Sequence, residues 1–142
     1  MNDSANKEEK TAEPPETRWA ISLEWFHDNN RSATMLISER LCPNCASKLS
    51  PGKKEPSPEE LISTIQKCCS NTPEFISHRL PIMESVFRLF LGNGNQSMGL
   101  DEVGQHLDQL RGGDSYRISA EALLRLLKSD RYYGLQEINE DM

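Results

Sequence analysis

Four cysteines constrain this chain more than any other feature: Cys42 and Cys45 in the run Leu41-Cys42-Pro43-Asn44-Cys45, and the adjacent pair Cys68-Cys69 downstream. A C-x-x-C turn folds back so that both sulfurs face one point, which is half of a tetrahedral zinc site. The other half must then come from downstream, and the loop and helix expected in between are long enough to return. Two ligand sets are open: Cys42, Cys45, Cys68 and Cys69; or Cys42, Cys45, one of the adjacent pair, and His78. His27 is a more remote candidate. Neighbouring side chains diverge on a helix, so Cys68 and Cys69 can share one ion only where the backbone departs from helical geometry. The competing reading makes Cys68 and Cys69 small buried hydrophobes and the Cys42–Cys45 run a plain turn. His106, beside the Leu107 stripe, reads as a solvated or core-edge residue.

The compartment bears on that choice. No apolar run approaches the roughly 20 residues needed to cross a bilayer, and the N-terminus carries no stretch resembling a signal peptide. A cytoplasmic location is therefore expected, where thiols stay reduced and serve as metal ligands or core residues rather than disulfides. The formal net charge is −6. Residues 18–134 hold 14 Lys/Arg and 14 Asp/Glu, so the surplus acids sit in the tails. A neutral body has no strong electrostatic footprint for nucleic acid, although local basic patches can still bind phosphate.

The organisation expected is mainly α. Residues 1–17 are acidic, hold Pro14-Pro15 and almost nothing apolar, and are expected to be a disordered tail. Residues 18–79 read as a small helical unit stabilised by zinc. Trp19 to Phe26 fits both periodicities, with a short helix favoured from Ser22. Ser32 caps a helix predicted to reach Leu41, and Ser57-Pro58 with Glu60 opens a helix to about Cys69. Thr72-Pro73-Glu74 is predicted to start a shorter helical turn. Residues 80–138 read as a three-helix module: a core helix from Ile82 to Leu91, an amphipathic helix on Leu100, Val103, Leu107 and Leu110, and a third helix capped by Ser119. Tyr116-Arg117-Ile118 is predicted to be an extended link, and residues 139–142 an acidic tail.

Three runs in the second half resemble a winged-helix domain: Met98-Gly99-Leu100-Asp101-Glu102-Val103, Ala122-Leu123-Leu124-Arg125-Leu126-Leu127-Lys128, and Tyr132-Tyr133-Gly134-Leu135. The resemblance spans residues 81–138 and implies a third helix leading through a glycine turn into a strand-like hairpin. In winged helices that third helix often enters the major groove. Carried onto this sequence, the helix is Ser119 to Asp130, Arg117 and Arg131 would reach phosphates, Arg125 a base edge, and Lys128 lies on the same exposed side. Glu121 and Asp130 dilute the patch. The competing view is that these cations are only the solvated face of a packed helix. The Cys42–Cys45 run, with Ala46-Ser47-Lys48-Leu49 after it, is similar to a zinc-ribbon knuckle. Cys42-Pro43-Asn44-Cys45 also resembles the C-P-x-C motif of glutaredoxins, which requires a preceding strand in a βαβ setting.

An enzyme is not expected: no G-x-S-x-G, H-E-x-x-H or P-loop occurs, and no membrane or small-molecule partner is indicated. The readings carried forward are DNA or RNA binding by a zinc-stabilised transcription-type protein, a protein-interaction subunit of a larger complex such as a ribosome or polymerase, and, as a lesser alternative, thiol redox chemistry at Cys42.

Overall fold

The structure is a computed structural model that describes residues 17–49, 55–112 and 118–138. Both acidic tails, Lys53-Lys54, Tyr116 and Arg117 lie outside the described residues. The fold is mainly helical with one small sheet. The chain runs through β1 (Arg18–Ile21), α1 (Leu23–Asp28), α2 (Ala33–Ser38), α3 (Pro43–Ala46), α4 (Pro58–Lys67) and a 3-10 turn (Cys69–Asn71). It continues through α5 (Ile82–Gly92), β2 (Met98–Gly99), α6 (Leu100–Leu110), α7 (Ala120–Ser129) and β3 (Leu135–Ile138).

Most helix starts are set by local chemistry. Ser22, Ser32 and Ser119 each accept a hydrogen bond from the backbone N–H three residues on, which fills one of the orphan donors of a helix N-terminus. Ser57 and Glu60 form a reciprocal capping box with Pro58 in the first helical position. At α6 the cap is glycine, so only the return half exists: Gly99 N–H donates to Glu102 Oε1 at 2.9 Å. The same oxygen receives Arg18 Nη2 at 3.2 Å, which ties the cap to β1.

The doubly periodic Trp19–Phe26 segment resolves into both elements. Arg18–Ile21 is a strand, and a helix follows Ser22. The helix from Ser32 ends at Ser38 rather than Leu41, and the segment after Thr72 makes a turn, with Phe75 N–H on Thr72 O, rather than a helix. Thr72 turns its hydroxyl to Cys69 O at 2.8 Å, donating back along the chain.

The sheet runs in the order β2-β1-β3, both pairs antiparallel. Trp19 lies opposite Met98 on one side and Glu137 on the other. The turn through Gly134 leads into a short strand as expected, and among the described residues that strand pairs with β1. Trp19-Ala20-Ile21 supplies the apolar centre that a sheet of this size needs, and all three are buried. Asn95 extends the pairing beyond β2. Its side-chain amide accepts from Ile21 N and donates to Ile21 O, both at 2.9 Å.

One apolar cluster runs through the molecule, from Trp19 and Phe26 through Ile37 and Ile65 to Leu123 and Leu135. Helix α5 lies at its centre, with Val86, Phe87, Phe90 and Leu91 fully buried. A helix that is apolar on most sides has to be enclosed on most sides, and α5 is covered by β1, α4 and α6.

Candidate metal centre

The two cysteine pairs sit where two helices are interrupted. After α2 the chain turns, and Cys42 takes an extended conformation (φ −68°, ψ 160°) as the N-cap of α3. Pro43 opens that single turn, Ala46 N–H closes it on Cys42 O at 2.8 Å, and Cys45 is brought round beneath Cys42. Across from it, Cys68 N–H still completes the α4 ladder on Thr64 O, but its backbone leaves the helix (φ −128°, ψ −65°). Cys69 then begins the 3-10 turn. This break at Cys68 is what allows two adjacent side chains, which diverge on a regular helix, to point the same way.

The four sulfurs lie within 4.8 Å of one another. Cys42 Sγ and Cys68 Sγ are 4.0 Å apart. A tetrahedral zinc thiolate, with bonds of about 2.3 Å, sets its sulfurs roughly 3.8 Å apart, so the cluster would need to contract by no more than about 1 Å to hold such an ion. Cys42 N–H also donates to Cys69 Sγ at 3.1 Å, an arrangement that stabilises charge on the sulfur. Cys45 and Cys69 are buried, while Cys42 and Cys68 are half-buried.

The thiols influence one another strongly. The Cys45 backbone N–H and the neighbouring Cys69 lower the Cys42 thiol to about 7. Hydrogen bonds with Cys45 and Cys42, together with burial, push Cys68 up to about 11. Burial raises Cys69, and Cys45 is also raised because burial and its other sulfur neighbours outweigh the lowering contact with Cys68. Without a cation, one thiolate in this cluster opposes the next; a divalent cation reverses that balance and favours all four.

None of the three histidines joins the grouped donors. His78 lies in the bend before α5, where its carbonyl accepts from Arg111 Nη2 at 3.4 Å. His27 is exposed at the end of α1, and His106 is exposed on α6. Arg125 and Lys128 both lie exposed on α7, three residues apart and so on one face, and Arg131 is exposed just beyond it. Arg117 is outside the described residues. The acid at Asp130 is engaged locally: its carboxylate accepts from the backbone N–H of Tyr132, Tyr133 and Leu135.

The sequence reading did not find the polar cluster that positions the knuckle. Glu84 is 8% exposed. It accepts from Arg40 Nε and Nη2 at 2.9 and 2.7 Å, from Arg88 Nε at 2.8 Å and from the Tyr133 hydroxyl at 2.9 Å. Arg40 also donates to Leu36 O at 2.8 Å and lies over the Phe87 ring. Arg40 stands two residues before Cys42, so this cluster fixes the approach of the C-x-x-C turn to α5. Burial alone would push the Glu84 carboxyl up. The Arg40 and Arg88 guanidiniums and the Tyr133 hydroxyl overcome that and hold it at about 2. A carboxylate at the third position of an otherwise apolar helix, four residues before Arg88, was the available signal.

Comparison with known proteins finds no matching family model, no significantly similar curated protein and no significantly similar solved structure. What the chain does must therefore be argued from its own residues.

Proposed function

We propose that the chain is a non-enzymatic nucleic-acid-binding protein whose first half is held together by a structural zinc ion and whose second half is winged-helix-like. The observation that carries the metal assignment is the convergence of all four cysteines on one point. Zinc bound there supplies no reaction; it cross-links the start of α3 to the end of α4, and Cys42, Cys45, Cys68 and Cys69 are the ligands. The order α5, β2, α6, α7, β3 supports the winged-helix likeness, as does Gly134 (φ +73°), which turns the chain from α7 toward β3. Arg125, Lys128 and Arg131 are the cations such a helix would offer to DNA or RNA.

Two measurements test this. Elemental analysis of the purified protein should find one zinc per chain, and Cys→Ser changes at Cys42 or Cys69 should remove it while His78→Ala leaves it in place. Binding to a labelled duplex at low salt should weaken steeply as salt rises, R131A should reduce the salt slope by about one, and R125A should relax sequence preference. Absence of any affinity at low salt would sink the nucleic-acid reading.

A second reading, a protein-interaction subunit, is favoured by a groove of about 320 Å³ between the 3-10 turn, α5 and α6. Phe75, Ile76, Leu89 and Met98 line it, and Leu110 at its rim is 47% exposed. Apolar docking there would be insensitive to salt, which separates it from the first reading. The lowered Cys42 thiol favours a third, lesser one, thiol redox chemistry; failure to turn over a mixed-disulfide substrate removes it.

A further inference from the structure

The four thiols are equivalent in the sequence but not in space. Cys45 is 7% exposed and Cys69 is fully enclosed, whereas Cys42 and Cys68 are each half-buried and can be reached from solvent. These two reachable sulfurs are also the pair that face each other at 4.0 Å, across 26 residues of chain. We propose that the centre is a specific oxidation site, at which a hydroperoxide converts Cys42 and Cys68 to a disulfide and releases the metal. The proposal rests on the metal reading above.

The chemistry closes on two electrons. The sulfur of one reachable cysteine attacks the peroxide oxygen, the O–O bond breaks, and a sulfenic acid and water (or an alcohol) result. The facing sulfur then attacks the sulfenic sulfur, the S–S bond forms, and the second oxygen leaves as water. Two thiolates and two protons are consumed with one hydrogen peroxide, giving one disulfide and two waters. With half its ligands gone, the ion has only Cys45 and Cys69 and is lost.

Competing pairings are disfavoured by position. A bond within the C-x-x-C turn would need Cys45, which is more enclosed than Cys68, to resolve the sulfenic acid, whereas Cys68 Sγ already stands 4.0 Å from Cys42 Sγ. A bond between the adjacent Cys68 and Cys69 needs the enclosed sulfur and closes a strained small ring. The Cys42–Cys68 bond instead joins the same two segments that the metal joins, so the fold is kept while the ion leaves.

The test uses the full-length protein with its metal. It is titrated with hydrogen peroxide while zinc release is followed with a chromophoric chelator, then alkylated and mapped by peptide mass spectrometry. The expected result is one Cys42–Cys68 disulfide per zinc released, with the far-ultraviolet circular dichroism retained and the metal site restored by a dithiol and zinc. A Cys42–Cys45, Cys68–Cys69 or intermolecular disulfide, or zinc loss with no disulfide, overturns the proposal. Metal is measured before peroxide is added. Protein that carries and binds none overturns the metal reading and the release step with it, and the disulfide map then judges the pairing alone.

Discussion

At the residue scale, Glu84 decides more than its single charge suggests. It is nearly enclosed in the most apolar helix of the chain and is partnered by two guanidiniums and a phenol. An acid whose folded value is held down contributes stability above its unfolded value and loses it as pH falls through the folded one. For Glu84 that window runs from the ordinary 4.5 down to about 2. The shift corresponds to roughly 3 kcal/mol at neutral pH. Denaturation in urea between pH 6 and pH 2 should show this loss, and Glu84→Gln should flatten the acid limb. Glu84→Ala, which strands Arg40 and Arg88, should cost about 3–5 kcal/mol. Tyr133 acts with the opposite sign. Burial and the Glu84 charge raise it to about 12, so its contribution is present below 10 and is lost as pH rises from 10 through 12.

At the element scale, short segments are held by features that are not periodic. The turn from α7 into β3 depends on Gly134, which has a positive φ and lies against the Phe26 ring: an added Cβ would meet Phe26 Cε2 at 2.5 Å. Ser22 N–H closes on Gly134 O at 2.8 Å, so this one residue joins the start of α1 to the start of β3. Gly134→Ala should therefore destabilise the protein by about 2 kcal/mol or more, combining a strained backbone with an overpacked core. Thermal melts of this variant beside Ser57→Ala, which removes only a capping hydroxyl worth about 1 kcal/mol, give the comparison. If both lower the melting temperature equally, the close approach of Gly134 to Phe26 carries no weight. The helix starts themselves were legible in the sequence, because a serine cap acts through neighbours in the chain. The helix end near Cys68 was legible too, whereas the end at Ser38 was not, since the apolar spacing runs on to Leu41 past the point where the helix stops.

At the scale of the whole molecule, the central strand comes from the N-terminal segment and both its neighbours from residues beyond 97. The Trp19–Ile21 strand and the α5 core are parts of one apolar cluster. A fragment beginning at residue 80 would lose the centre of its sheet, and it should show no cooperative melt, whereas the full chain should show one. A fragment that folds cooperatively would contradict this. The cysteine cluster offers a different test. Chelator treatment should lower the melting temperature of the metal-loaded chain and expose the thiols to a chromogenic disulfide, since an ion bound only to the folded state stabilises it by its binding free energy.

The sequence by itself determined the helical character, the caps at Ser22, Ser32, Ser57 and Ser119, and the enclosed α5, and it narrowed the donors to two sets built on Cys42 and Cys45. Each of these follows from residue type and spacing along the chain. It did not determine whether Cys68 and Cys69 could both reach one point, because that needed the backbone to leave the helix at Cys68 (φ −128°, ψ −65°). Nor did it reveal that Trp19–Ile21 pairs with β2 and β3, or that Arg40 finds Glu84, since partners so far apart in sequence are chosen by the closing of the core. The cysteines were visible as four thiols. Only the tertiary structure made them two enclosed cysteines and two half-buried ones whose sulfurs lie 4.0 Å apart.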